Sequence, residues 1–251
     1  MGLRDILERV SSGELSPEEA QARLAGYATT DAGRFDAARE RRRGIPEAVF
    51  APGKTVEEVA ALVGTALDTT GRAIVTRLGS EDAAVIEAGV EGEATYHERA
   101  RCLVVHGGGF EPPEISATVG IVTGGTADRE PAGEAAVIAR EIGASVERVE
   151  DVGVANLTRV VDQLDRLREA DVLIVAAGRE GALPTVVAGL VPAPVIALPV
   201  SSGYGFGSDG EAALLGTLQS CTVLSTVNVD AGFVAGAQAG LIARSIAAAR
   251  P

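Results

Sequence analysis

Aromatic side chains are scarce in this chain of 251 residues: they make up 3% of it, and tryptophan is absent. So few flat rings leave little with which to stack bases, and a formal charge of −13 repels a nucleic-acid backbone. The one dense basic cluster, Arg39, Arg41, Arg42 and Arg43, reads as a solvated helix end. Histidine occurs twice, at His97 and His106, and cysteine twice, at Cys102 and Cys221. The histidines are too few and too badly spaced for a zinc site. The cysteines have neither a metal spacing nor that of a disulfide framework, so both read as free thiols. No apolar run reaches roughly 18 residues without a polar break. Asp5, Glu8 and Arg9 interrupt the start of the chain, which therefore carries no signal-like pattern. The expectation is a cytoplasmic protein with no membrane span and no nucleic-acid partner.

What is abundant is small and apolar. Hydrophobic residues are 46% of the chain and glycine accounts for 31 positions, so the core is built from Ala, Val, Leu and Ile. The organising stretch is an apolar run, Val119 to Val122, that breaks at Thr123, Gly124, Gly125, Thr126, Ala127 and Asp128. An alanine-rich segment of helical period follows from about Pro131. This predicts a buried strand, a glycine turn and a helix. The glycines let backbone approach a ligand, while Thr123, Thr126 and Asp128 offer hydroxyls and a cap at the positive end of the helix. The outline is that of a phosphate cradle, although TGGT also serves as a plain turn and matches neither the P-loop nor GxGxxG.

The unit recurs. Asp171 to Ala177 is a second apolar strand, broken at Gly178, Arg179, Glu180 and Gly181 before a helical segment from Ala182 to Leu190. Val195 to Pro199 is a third, broken at Val200, Ser201, Ser202, Gly203, Tyr204 and Gly205 before a helix from about Gly210 to Ser220. Three strands that each feed a glycine-containing turn and a helix predict a parallel α/β sheet. Ligands lie past the carboxyl ends of such strands, so the site should collect Thr123 to Asp128, Gly178 to Gly181 and Ser201 to Gly205.

Earlier in the chain, Leu3 to Val10 and Ser16 to Leu24 read as short helices, the second with a capping start at Ser16, Pro17 and Glu19. Asp31 to Arg43 is polar and reads as helical or frayed. A helix begins at Thr55, Glu57 and Glu58 and runs to about Leu67. Ala73 to Thr76 and Cys102 to Val105 read as strands, with a helix from Ser80 to Gly89 between them. Glycines 107 to 109 followed by Pro112 and Pro113 mark a boundary. It divides the chain into residues 1–115, two helices and a small α/β unit, and residues 116–251, the main α/β domain. In the latter, Asp151 to Arg159 leads into a helix from Val160 to Glu169. Asp151 and Asn156 read as capping residues that could also face the site. A half-strand, Thr226 to Val229, is followed by Asp230 and an alanine-rich helix ending near Arg250.

The strings GIVTGGTADREPAGEAA, DVGVANLTR, VVAAGREGALPTVVAGLV, PVIALPVSSGYGFG, ALLGTLQSC and VNVDAGFVAGAQA resemble the LarB family of nickel-pincer cofactor biosynthesis proteins. Its C-terminal domain resembles the PurE-type aminoimidazole ribonucleotide carboxylase. RRRGIPEAVFAPGKT and IVTR resemble the family as well, so the likeness spans roughly residues 34 to 245. It implies a PurE-like three-layer α/β domain with a parallel sheet, flavodoxin- or Rossmann-like, joined to a small N-terminal α/β domain and assembled as dimers in a larger homo-oligomer. It also implies a reaction. The pyridinium ring of nicotinic acid adenine dinucleotide is carboxylated with CO2 or bicarbonate, and the phosphoanhydride is cleaved to leave pyridinium-3,5-biscarboxylic acid mononucleotide and AMP.

The resemblance places a covalent cysteine at Cys221; read alone, such a thiol is structural more often than catalytic. Glu180, on the turn after the second strand, is the expected acid/base, against a plain surface glutamate. Thr123, Gly124, Gly125, Thr126, Asp128, Gly178, Gly181, Ser201, Ser202, Gly203 and Asp230 are expected to hold phosphates and ribose. His97 is a candidate ring contact and His106 a loop residue. Phosphoanhydride cleavage suggests Mg2+ held partly by substrate oxygens, with no protein ligand set legible. Two positions depart from the family pattern: Ala231 where asparagine is usual and Arg179 where methionine is usual. The alternatives are an aminoimidazole ribonucleotide carboxylase or mutase, whose histidine-containing turn is missing from the second half, and a non-catalytic nucleotide-binding protein.

Overall fold

In the computed structural model, which describes residues 3–203 and 205–250, the chain divides into two units, Met1–Glu111 and Pro112–Pro251. Tyr204, expected in the third loop of the site, lies outside the described residues.

The first unit opens with α1 (Leu3–Ser11) and α2 (Pro17–Ala25). The expected cap of α2 forms in both directions: Ser16 Oγ accepts the Glu19 N–H, and a Glu19 carboxylate oxygen accepts the Ser16 N–H. The polar stretch that follows is a hairpin and then a short helix, β1 (Ala28–Thr30), β2 (Gly33–Phe35) and α3 (Arg39–Arg43). Thr30 Oγ1 explains the hairpin, because it accepts from Ala32 N–H and donates to the Gly33 carbonyl, closing the turn from the side chain. Phe35 then reaches the core. The remaining elements are β3 (Val49–Phe50), α4 (Val56–Thr70), β4 (Arg72–Thr76), α5 (Ser80–Gly89), β5 (Glu93–His97) and β6 (Cys102–His106). They give a four-stranded sheet of order β3-β4-β6-β5. Thr55 starts α4 with a capping box to Glu58, and Val59, Leu62, Val63 and Ala66 form its buried stripe.

The second unit carries β7 (Thr118–Thr123), α6 (Arg129–Glu141), β8 (Ser145–Val149), α7 (Thr158–Val161), α8 (Leu164–Glu169), β9 (Val172–Ala177), α9 (Ala182–Ala188), β10 (Val195–Pro199), α10 (Glu211–Leu218), β11 (Ser225–Thr226) and α11 (Gly232–Ala249). All strand pairs are parallel, in the order β11-β10-β9-β7-β8. Chain order reverses between β7 and β9, which makes that junction the switch point of a doubly wound sheet. Alternate residues of β9 serve the two faces. Val172, Ile174 and Ala176 pack with the alanines of α6 and α11, while Leu173, Val175 and Ala177 pack with Val160, Leu167, Leu183 and Val187 of α7, α8 and α9. The result is a three-layer α/β unit.

Two expectations for this unit change. β8 was not anticipated. It is the sheet edge and alternates in burial, with Glu147 and Arg148 in its middle, so it lacks the apolar run that marks β7, β9 and β10. The helix expected over 160–169 is two short helices, broken where the Gln163 N–H reaches the Val160 carbonyl. The small residues of the last helix pack largely within the chain. Ala235, Gly236, Ala239, Gly240 and Ala243 are buried, and a Cβ on Gly236 would stand 2.4 Å from the Ala135 carbonyl oxygen on α6. Among the described residues α11 alone is long and apolar enough by composition to cross a membrane, yet this stripe is a packing surface.

Candidate functional site

β7, β9 and β10 end side by side, and the loops that follow them touch. Glycine is required at the contacts: a Cβ on Gly178 would lie 2.1 Å from the Ser202 carbonyl oxygen, and one on Gly216 of α10 would lie 2.1 Å from the Glu180 carbonyl oxygen. Neither loop pair could approach as closely with any other residue. The loops enclose an open cleft of about 680 Å3 at the switch point, lined by Gly124, Gly125, Thr126, Asp128, Gly178, Arg179, Glu180, Ser202 and Gly203 among others. A smaller recess of about 190 Å3 adjoins it and shares Arg179, Glu180, Ser202 and Gly203. Glu180 and Arg179 are exposed, with Arg179 in left-handed backbone at φ 54°.

Asp128 is the knot of the cradle. Expected as a cap of the following helix, it makes no such hydrogen bond and turns back on its own loop. Its Oδ2 accepts the Gly125 N–H at 2.7 Å and its Oδ1 accepts the Ser202 hydroxyl at 3.0 Å. The side chain is 5% exposed. Burial pushes its carboxyl above the usual aspartate value, against the opposing pull of hydrogen bonds from Gly125, Ser202, Gly124 and Gly178.

Thr123, Gly181, Ser201 and Asp230 lie behind the lining. Thr123 is fully buried, and its Oγ1 accepts the Asp151 N–H at 3.1 Å, which joins the end of β7 to the loop after β8. Asp230 Oδ1 accepts the Ser201 N–H at 3.0 Å, and Asp230 N–H reaches the Pro199 carbonyl, so Asp230 shapes the third loop from below. Gly181 begins α9 at φ 64°. Cys221 is exposed and lies beyond the end of α10. Its neighbour Ser220 is bonded to Thr185 on α9 and to Thr222, which ties this segment to α9, and Cys221 is not among the residues that line the cleft. Gly153, Val154 and Ala155, which line the cleft, were missed because they follow the unanticipated β8. Asn156 caps Thr158, as expected, whereas Asp151 pairs with Arg159 instead of capping.

In the N-terminal unit, His97 ends β5 and pairs with Cys102 in the ladder, and His106 packs on the Phe110 ring with centroids 5.0 Å apart. Among the described residues no three histidine, cysteine or acidic side chains gather as a metal site. Both carboxylate oxygens of Asp128 are already engaged.

Residues 118–251 match the family described as AIR carboxylase, and residues 27–107 match the LarB/PurE-like N-terminal domain. An uncharacterized protein of Methanocaldococcus jannaschii is 34% identical over 252 residues, covering 96% of this chain and 97% of its own. The N5-carboxyaminoimidazole ribonucleotide mutase of the same organism is 36% identical over 117 residues, covering 45% of this chain and 69% of its own. A solved PurE2 variant of Treponema denticola aligns with TM-score 0.38 and 25% identity over 47% of this chain and 74% of its own. The two family matches and the full-length relative place the chain in a carboxylase/mutase-like enzyme class with a PurE-like domain. Within that class, the chain belongs to the LarB family of nickel-pincer cofactor biosynthesis proteins, with its small N-terminal α/β unit and its three-layer parallel-sheet unit.

Proposed function

We propose that the chain carboxylates the pyridinium ring of nicotinic acid adenine dinucleotide at position 5 and cleaves its phosphoanhydride, releasing AMP. The observation that carries this reading is the cleft at the switch point of a LarB-family chain, with glycine-loop backbone on one side and the Glu180 turn on the other. The Gly124 N–H donates to the Ala176 carbonyl and the Gly125 N–H to Asp128, so Thr126, Ser202 and the loop backbone beyond Gly125 are the groups that suit phosphate and ribose oxygens.

The pyridinium ring is electron-poor and cannot attack CO2 from position 5. Addition of the Cys221 thiolate at position 4 turns it into a dihydropyridine whose position 5 is an enamine carbon, and that carbon attacks CO2. Loss of the position 5 proton to Glu180 and expulsion of the thiolate restore aromaticity with the second carboxylate in place. A free thiol ionises near about pH 8.5, and the cationic ring favours the thiolate that attacks it. Because Cys221 stands outside the lining of its own cleft, this step requires the 219–224 segment to carry it inward or a neighbouring copy to present it, within the expected cytoplasmic homo-oligomer. A Mg2+ ion would ride on substrate phosphate oxygens, and no step here depends on it.

A second reading, aminoimidazole ribonucleotide carboxylation or mutation, is favoured by the likeness to the mutase. It lacks the histidine expected in the second unit, since no histidine follows His106. Offering each substrate with labelled bicarbonate and Mg2+ separates the readings. Label in the pyridinium product with AMP released supports the first, label in the imidazole supports the second, and nucleotide binding with neither product leaves a non-catalytic binder.

A further inference from the structure

Within the N-terminal unit, α4 and α5 leave a groove between them. β3 pairs with β4 in parallel, and β4 and β5 both run antiparallel to β6, so β3, β4 and β5 share one direction. The helices that connect them, α4 and then α5, therefore run the same way, and their C-terminal ends lie side by side. The groove has a volume of about 350 Å3 and is lined by residues of both helices and of the chain just beyond α5.

Its floor is apolar: Ile86 is 1% exposed, and Leu67 packs on the same core. Gly64 and Gly89 line the space from either helix, and a Cβ on either would meet no atom within 4 Å. The hollow exists because each helix lacks a side chain there. One end of it is acidic. Asp68 stands in the last turn of α4, and Glu91 follows the end of α5. Among the described residues neither carboxylate has a hydrogen-bond or ion-pair partner. No basic side chain lines the groove, and neither helix carries one in its last turn to offset the negative end of its dipole.

We propose that this groove binds an aliphatic amine, with the ammonium at Asp68 and Glu91 and the alkyl chain over Leu67, Ile86 and the two glycines. Two unpaired carboxylates beside two helix C-termini attract a cation, and the apolar floor takes the chain out of water. The volume falls in the range of small-ligand sites, roughly 300–1,000 Å3, whereas a partner helix needs a row of anchor positions along its length. Neither half of the ligand suffices: a bare ammonium forgoes the floor, and an alcohol forgoes the charge. The site consists of N-terminal residues only and does not rest on the pyridinium reading.

Isothermal titration calorimetry of the full-length chain with hexylammonium tests it, with methylammonium and hexanol as control probes. Hexylammonium should bind on the order of tenfold more tightly than either control, a difference of about 1.4 kcal/mol. Added salt should weaken it, as should Asp68→Asn and Glu91→Gln. Gly64→Leu places a side chain where a Cβ meets nothing within 4 Å, so it should fill the hollow and abolish binding. Because it replaces a helical glycine, its unfolding midpoint should not fall below the parent's. Hexylammonium held no better than the controls, or held equally by the folded Gly64→Leu chain, overturns the proposal. A smaller assembly of Gly64→Leu in sedimentation overturns it too, by marking the groove as a contact between copies, and so does tighter binding of a helical leucine–lysine peptide, which would assign a protein partner. Failure of the catalytic reading shows instead as absent carboxylation and leaves this result untouched.

Discussion

The Ser202 hydroxyl donates to Asp128 Oδ1 at 3.0 Å, across 74 residues of sequence, and so ties the loop after β10 to the loop after β7. Both belong to the cradle, and the pH response of Asp128 reports on its integrity. Its carboxyl is raised above the ordinary value of 3.8 mainly by burial. A raised carboxyl binds its proton more tightly when folded, so its stabilising contribution is fully present below pH 3.8 and is lost as pH rises through the raised value. Asp128→Asn removes that dependence. Thermal unfolding of both proteins as pH rises from 3.8 should show the difference between them moving in favour of the asparagine variant. A constant difference contradicts the burial argument.

Gly216 sets the Glu180 turn. In Gly216→Ala the new Cβ would stand 2.1 Å from the Glu180 carbonyl oxygen, so the turn must move. The expected cost is about 1–3 kcal/mol by denaturant unfolding, together with loss of most carboxylation by the folded variant. Full activity in a folded variant separates Glu180 from the chemistry.

Ile174 is fully buried in the face that packs on α6 and α11. Ile174→Ala should cost about 2–5 kcal/mol in urea unfolding. A value under about 1 kcal/mol indicates that the layers close over the cavity.

Cys221 is exposed and Cys102 is buried on β6, where its thiol reaches the Ala100 carbonyl. A thiol reagent should label Cys221 on the folded protein and reach Cys102 only after denaturation, as peptide mass analysis would show. Cys102→Ala should leave turnover near the parent's.

The sequence made the middle of the sheet legible, because β7, β9 and β10 are buried on both faces and therefore read as apolar runs ending in glycine turns. The edges were harder. β8 alternates in burial and carries two consecutive charged residues, Glu147 and Arg148, and β11 pairs through only two residues, Ser225 and Thr226, with the chain beyond them bonded as a loop to Ala197 and Pro199. The β1–β2 hairpin depends on a Thr30 side-chain turn within a polar stretch that carries no period. At the cleft, residue types pointed to the loops that line it without distinguishing what faces the cleft from what supports it. Thr123 and Asp230 look like ligand groups in sequence and serve backbone N–H groups in the fold.

Carboxylation of a pyridinium through Cys221 is the central claim, and one labelling experiment addresses it. The chain is incubated with nicotinic acid adenine dinucleotide, labelled bicarbonate and Mg2+, in parallel with Cys221→Ser, and ring-bound label and AMP are followed with time. The account predicts label in the pyridinium product of the parent, accompanied by AMP, with a dihydropyridine absorbance and a mass adduct on Cys221. In the folded serine variant, label, absorbance and adduct should all be absent. Ring-bound label formed at the parent rate by Cys221→Ser contradicts it.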